Sequence, residues 1–386
     1  MKKRILALFL LVVLALSLVA CGGDPVNTDT GVSDSNVPVS SSGNTDTQSS
    51  DSGTSDKEDD KKVEGYDPSI EHKFLACDIY SHGIVVIDLN GCEGDWQNLT
   101  DDSKVVVWEW VPENDPNLKT AGPGLGIDSA KYRYSPVYEK DVIIACSSNG
   151  WCGIIDYEAK TLLWEYQLSS GPHSVEMLPN GDLMVATSND PGALTYFALS
   201  AGIDNEPVHS IPSLYCHGVS WDPENECLWV LEDTGVYQAF IQNMGTENGK
   251  IVRMSGSGDR FDKNEAAGHA LAPVAGQPGT YWVSSGSQLW QYSVEEEDLT
   301  NKFPRYNDLT QGNIKGICSF TDGTVVQSVA GLCGNSSQAW SSDGLRIITR
   351  ELTPGKVQTL KDVVTIVPFN HREFYKIQAF TKEYQP

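Results

Sequence analysis

The stretch Pro172–Leu199, "PHSVEMLPNGDLMVATSNDPGALTYFAL", decides the fold class. It reads as a short strand, a tight turn at Pro179-Asn180-Gly181-Asp182, a second strand, a second turn and a third strand. The same order recurs along the chain. "KYRYSPVYEKDVIIACSSNGWCGIIDYEAKTLLWEYQL" begins at Lys131, "CHGVSWDPENECLWVLEDTGVYQAFIQ" at Cys216, "GHALAPVAGQPGTYWVSSGSQLWQYSV" at Gly268 and "IKGICSFTDGTVVQSVAG" at Ile314. A fourth strand follows some units, as in "TLLWEYQL" and "KIVRMSG". With Arg133, His173, His217, His269 and Lys315 as markers, the units repeat at steps of about 40 to 52 residues, the spacing of four-stranded propeller blades. Alternating strands of such a meander bury Val, Ile, Leu and Trp against the neighbouring blade. A solenoid fits poorly, because the units are antiparallel and lack regular rungs.

Five units are visible directly. "KFLACDIYSHGIVVIDL" (Lys73 to Leu89) and "KVVVWEWV" (Lys104 to Val111) supply three strands of another. "EFYKIQAF" (Glu373 to Phe380) supplies its missing inner strand, which pairs the chain ends and removes exposed edges. The reading is an all-β, six-bladed propeller over residues 66–386, expected to be a monomer. Seven blades follow if residues 92–130 or 345–368 hold another.

The N-terminal residues lie outside that pattern. Lys2, Lys3 and Arg4 precede an apolar run, Ile5 to Leu18, too short to span a bilayer comfortably and read as a secretory signal. Leu18-Val19-Ala20-Cys21-Gly22 resembles the bacterial lipobox. The resemblance implies that residues 1–20 are cleaved as a signal peptide and that acyl chains such as palmitate are attached at Cys21. Each buried methylene contributes about 0.8 kcal/mol to anchoring. The remainder of the segment 21–65 is Ser, Thr, Asp, Asn and Gly with hardly a large apolar residue, and is expected to be a disordered tether. The protein is therefore expected outside the cytoplasm, held by lipid at the bacterial cell membrane. The net charge of −25 argues against nucleic acid and against direct adhesion to anionic lipid.

Beyond Cys21 there are Cys77, Cys92, Cys146, Cys152, Cys216, Cys227, Cys318 and Cys333. An exported chain permits disulfides, and Cys146 and Cys152, which flank a short turn, are the first candidates for a pair. Five of the eight lie in apolar strand patterns, which reads equally as buried free thiols. No zinc spacing is present.

The lipobox, the polar tether, "LACDIYSHGIVVIDL", "VVVWEWVP" and "PHSVEMLPNGDLMVA" together resemble a family of uncharacterised exported propeller lipoproteins of gut bacteria, a domain of unknown function. That resemblance implies a propeller over roughly residues 70–385 and no stated activity. "LLWEYQLSSGPHSVEMLPNGDLMV" is similar, more weakly, to the repeats of six-bladed arylsulfotransferases, which implies a sulfate-carrying histidine in the funnel. This chain has a single His in "PHS" where those enzymes often have a pair.

In a propeller the inner strands line a central channel. Arg133, His173, His217, His269 and Lys315, each near the start of an inner strand, are expected to ring one mouth of it. Turns carrying Asp78, Tyr80, His82, Asn189, Asp190, Asp233 and Ser285 reach the same end, as does the long loop Gly331–Leu345. Long loops on a rigid scaffold are where sites concentrate. Trp151, Trp340 and Tyr132 are expected to offer flat faces to a sugar or aryl ring. The first reading is a binding site for a small anionic or carbohydrate ligand, or a protein partner, in which charge-assisted contacts from Arg133 and Lys315 hold an anion. The alternative is an enzyme acting on uronate-containing or sulfated substrates. The candidate catalytic residues are then His173, His217 and His269, which hold a divalent metal as in propeller polysaccharide lyases or act as nucleophile or base. The bland reading is structural: such histidines also bond neighbouring turns. "GSGDRFDKNE" (Gly256–Glu265) resembles a calcium loop but lacks the EF-hand spacing, and a solvated loop explains it better.

Overall fold

The computed structural model describes residues 69–385 except 93–95, 97–98, 100–101, 121–123, 190–191, 256–257, 259–260, 262–267, 301–311 and 353–359. The signal peptide, Cys21 and the tether lie outside the described residues, as does most of Gly256–Glu265.

The fold is a six-bladed β-propeller. The first blade holds β1 (Lys73–Asp78), β2 (Gly83–Asp88) and β3 (Val106–Trp110). The second holds β4 (Ser129–Ser135), β5 (Lys140–Cys146), β6 (Trp151–Asp156) and β7 (Thr161–Gln167). The third is β8 (Pro172–Met177), β9 (Leu183–Thr187), β10 (Ala193–Phe197) and β11 (His209–Pro212). The fourth is β12 (Gly218–Asp222), β13 (Cys227–Glu232), β14 (Gly235–Gln242) and β15 (Lys250–Arg253). The fifth is β16 (Leu271–Pro273), β17 (Thr280–Ser284), β18 (Leu289–Ser293) and β19 (Asp298–Thr300). The sixth is β20 (Ile314–Ser319), β21 (Val325–Val329), β22 (Gly344–Leu352) and β23 (Leu360–Pro368). The segment 345–368 thus completes the sixth blade rather than holding a seventh.

β24 (Phe374–Ala379) returns to the first blade as its inner strand, antiparallel to β1 with Phe74 opposite Ala379 and Ala76 opposite Ile377. The inner strands β4, β8, β12, β16, β20 and β24 touch in that order around the axis, and β24 meets β4 again. The contact of β20 with β24 is close: a Cβ on Gly316 would lie 2.3 Å from the Ile377 nitrogen, so only glycine fits.

Apolar faces of successive blades supply the core. Val142 and Ile144 of the second blade pack with Val175, Val185 and Phe197 of the third. Phe74 and Val85 of the first pack with Val326, Ile347 and Leu345 of the sixth, together with Phe374 and Ile377 of β24. Each such aliphatic or aromatic side chain contributes about 1.5–3 kcal/mol when fully buried. The alternation read in the sequence is therefore an interblade interface, repeated around a circle.

None of the eight described cysteines is in a disulfide. Cys146 and Cys152 sit directly opposite each other across β5 and β6, but as buried thiols and not as a disulfide. Burial pushes the Cys146 thiol well above its ordinary value, which suits an apolar filler and not a nucleophile.

Candidate functional site

Four of the five marker residues meet at the end of the channel where the inner strands begin, here called the upper mouth. His173 is the second residue of β8, His217 directly precedes β12, His269 stands two residues before β16, and Lys315 is second in β20. Four consecutive blades therefore each bring one polar side chain. The rings of His173 and His217 are 4.6 Å apart and those of His217 and His269 5.1 Å apart, both edge to face. Lys315 Nζ lies 3.0 Å from His269 Nε2.

The hydrogen bonds decide the His217 tautomer. His173 Nδ1 lies 3.1 Å from the Gly171 carbonyl oxygen and His217 Nδ1 lies 2.9 Å from that of Tyr215. A carbonyl only accepts, so His217 Nδ1 carries the proton, while His173 Nδ1 lies also 2.9 Å from the Ser188 hydroxyl. Burial lowers all three imidazoles below their ordinary value. For His217 the neighbouring His173, His269 and Lys376 add to it; for His269 the Lys315 and Lys376 ammonium groups do. The rings are neutral at pH 7, so Nε2 of His217 keeps a lone pair. At His269 the Lys315 ammonium donates to Nε2, and the buried Nδ1 has no hydrogen-bond partner among the described residues. The mouth is thus not the cationic ring that the sequence suggests. It offers an acceptor from the neutral His217 imidazole beside the Lys315 ammonium.

Below the histidines the channel is filled. Lys376, third in β24, donates to the carbonyl oxygen of His173 at 2.6 Å and to that of His217. Burial lowers this ammonium to about 8. Lys131 donates to Glu176 at 2.9 Å and to the Val219 carbonyl at 2.6 Å.

Arg133 does not join the upper mouth. It is the fifth residue of β4, and Asp128, just before that strand, stands where the third to sixth blades place histidine or lysine. Arg133 forks onto buried Glu176 through Nε at 2.9 Å and a terminal nitrogen at 3.1 Å. Burial alone would raise the Glu176 carboxyl, but Arg133 and Lys131 hold it below the usual range.

The far end of the channel is crossed by the chain's last residues. Phe380 stacks on Tyr132 at 4.0 Å, the Thr381 carbonyl accepts from Arg133 at 3.1 Å, and the Tyr384 ring lies 4.8 Å from the Arg133 guanidinium. Gln385 then bonds the Gly279 amide and the Tyr281 hydroxyl of the fifth blade.

The other expected contacts are dispersed. Trp151 is fully buried, stacked on Trp110 at 6.1 Å with its indole nitrogen donating to Glu165, and so belongs to the interblade core. Tyr132 is likewise buried under Phe380. Trp340 is half-buried in the loop 331–343, edge-on to Tyr375. Among the described residues no group of three His, Cys, Asp or Glu side chains is arranged to hold a metal ion. Nor is any helix among them long and apolar enough to cross a membrane.

Sequence reading missed Asp128, Glu176, Lys376 and Tyr215. The first three carried a signal: "DSAKYR", "HSVEML" and "FYKIQ" each set a charge inside or against an otherwise buried strand, and a buried charge requires a partner. Tyr215 stands in the turn leading to β12 with φ of 46°, a backbone setting that sequence does not announce.

No curated protein matches the chain. Solved structures match over much of its length at low identity. One is a protein of unknown function from Bacteroides caccae, 14% identical, covering 80% of this chain and 99% of its own, with a TM-score of 0.45. Another is a functionally unknown protein from Desulfotomaculum acetoxidans, 11% identical, covering 75% and 79%, with a TM-score of 0.44. The β-propeller domain of Cps50 (Swd1) from Myceliophteria thermophila is 9% identical, covers 65% and 73%, and has a TM-score of 0.39. A family model matches residues 99–346, from the close of the first blade into the sixth, and on that match the chain belongs to DUF6528, a family of unknown function.

Proposed function

We propose that the protein is a binding module whose upper mouth takes a small anionic or carbohydrate ligand, and that lipid on Cys21 holds it at the outer side of a bacterial cell membrane. The observation that carries the reading is the unbroken run of side chains His173, His217, His269 and Lys315 from four consecutive blades. The neutral His217 imidazole accepts from a ligand hydroxyl at Nε2, and the lysine ammonium donates to a carboxylate or sulfate. Lys376 and the Lys131–Glu176 pair close the floor, so a ligand enters and leaves by one mouth.

Calorimetric titration of residues 66–386 with galacturonate oligosaccharides, sulfated disaccharides and small polycarboxylates, with and without EDTA, tests this reading. Binding is expected to survive EDTA and to fall at least tenfold in the double variant His217→Ala, Lys315→Ala. Equal affinity in that variant, or no binding of any of these probes, removes the site. Turnover of a probe would replace the binding module with the catalytic alternative. Attachment through Cys21 rests on the lipobox alone. Full-length chain is expected in the detergent phase of a cloud-point partition and Cys21→Ser in the aqueous phase; equal partition of the two removes the anchor.

A further inference from the structure

We infer that Tyr215 is the stacking platform of the upper mouth and that the ligand is an acidic saccharide, a sugar ring carrying a carboxylate or sulfate. The inference rests on the proposed binding role of that mouth and names its ligand class. Tyr215 lies two residues before His217, and its own carbonyl accepts the Nδ1–H that sets the tautomer of that ring. One residue thus fixes the direction of a mouth imidazole through its backbone and carries an exposed aromatic side chain in the turn that leads to it.

The backbone there is strained and held. A φ of 46° is costly for a bulky residue, whose Cβ crowds the following carbonyl. Bonds on both sides impose it: Asp233 N donates to Leu214 O at 3.1 Å, Cys216 N to Thr187 O at 3.3 Å and His217 N to Leu231 O at 3.0 Å. Gly192 leaves the room, since a Cβ there would fall 2.3 Å from Ser213 O and 2.8 Å from Tyr215 N. Glycine or asparagine would occupy this conformation at less cost. Strain kept in place by its surroundings concentrates at ligand sites.

The side chains at the turn are large, apolar and unburied. Tyr215 is 39% and Leu214 50% exposed. Such groups bordering a polar mouth match a ligand that is apolar on one face and polar at its edge. A pyranose ring is that object: its axial C–H face lies on an aromatic ring, a hydroxyl donates to the His217 lone pair, and an acidic substituent reaches Lys315. A ring-free polyanion satisfies Lys315 but leaves Tyr215 unused.

Titrations with tri-galacturonate and with tricarballylate, a ring-free tricarboxylate, separate the possibilities. Tyr215→Ala is expected to weaken tri-galacturonate about tenfold and tricarballylate not at all, while Tyr215→Phe keeps both affinities. Tyr215→Gly is expected to lose the saccharide equally while its unfolding midpoint stays level or rises by about 2 °C, because the strain is relieved. That result excludes simple loss of structure as the cause. If Tyr215→Ala binds the saccharide normally while His217→Ala, Lys315→Ala does not, the platform is refuted and the mouth stands. If the native protein binds tricarballylate but no saccharide, the platform is refuted and the mouth stands; if the double variant binds normally or the native protein binds neither probe, the mouth and the platform fall together.

Discussion

His217 gives its Nδ1–H to a backbone carbonyl and holds Nε2 unprotonated in a buried setting, and His173 is buried beside it with the Gly171 carbonyl and the Ser188 hydroxyl on its Nδ1. The consequence reaches beyond recognition. Because burial lowers His173, His217 and His269 below 6.5, the unfolded chain takes up protons in that range that the native state refuses. Stability from these groups is therefore complete above pH 6.5 and lost as pH falls below it, by up to about 1.4 kcal/mol per pH unit for each imidazole. His72 works the other way. Burial opposes its charge, but its bond to Asp322 at 2.7 Å wins and raises it, so its contribution is present below pH 6.5 and is lost as pH rises through its native value. The Asp128 carboxyl, which burial raises beside His173, also favours the native state on acidification, but the three depressed imidazoles outweigh it and His72 together. Urea unfolding of residues 66–386 is thus expected to show falling stability from pH 7 to pH 5, before the carboxylates that the fold holds low, such as Asp322 and Asp343, titrate. His217→Gln is expected to flatten that slope by about one proton's worth. A stability that climbs on acidification would mean that the mouth imidazoles are charged in the native state.

At the scale of the strand, the sequence shows its rules openly where local chemistry decides them. Turn residues at Pro179-Asn180-Gly181 and the continuous apolar run Leu183–Ala186 mark β8 and β9 without reference to anything distant. The same holds for β24, whose "FYKIQA" reads as a strand although its partner β1 lies some 300 residues earlier. What stays hidden is height along the axis. "KYRYS" looks like the opening of an inner strand, yet β4 begins at Ser129, so Arg133 lies too deep to reach the histidines. Its real partner, Glu176, is 43 residues away on the next blade, and only the closed ring brings the two within 2.9 Å. Trp151 was misplaced for a related reason. A tryptophan beside a turn reads as a rim residue, but Gly153 of the same strand, where a Cβ would fall 2.4 Å from the indole, lets the ring fold back over β6, and it stacks on Trp110 of the first blade. Periodicity specifies which face a residue takes within its blade. It does not specify what the adjacent blade presents there, and the site is made of such meetings.

At the scale of the whole molecule, closure rests on one short strand. β24 completes the β1 edge, buries Phe374 and Ile377 between the first and sixth blades, and sends Lys376 across the axis to the carbonyls of the third blade and of the turn entering the fourth. The two apolar side chains alone contribute about 3–6 kcal/mol, and domains are stable by only about 5–15 kcal/mol. The lost ladder and the two unsatisfied carbonyls add to that loss. A chain ending at Arg372 keeps the Arg372 bonds to Asp78, Asp102 and Glu109, so any failure to fold belongs to the strand and the tail after it and not to that ion cluster. Residues 66–372 are expected to lose the cooperative thermal transition and to bind a hydrophobic dye, because the first blade is left with a bare edge and the ring can open. Adding a synthetic peptide of residues 373–386 is expected to restore the transition by supplying the strand in trans. The same peptide with Lys376→Met separates the two contributions: it retains the ladder and the apolar burial but lacks the donor that ties the axis together. It is expected to rescue folding only partly and to leave the upper mouth unable to bind the ligand. A truncated chain that melts sharply by itself would show that a three-stranded first blade and five complete ones hold the circle without this strand.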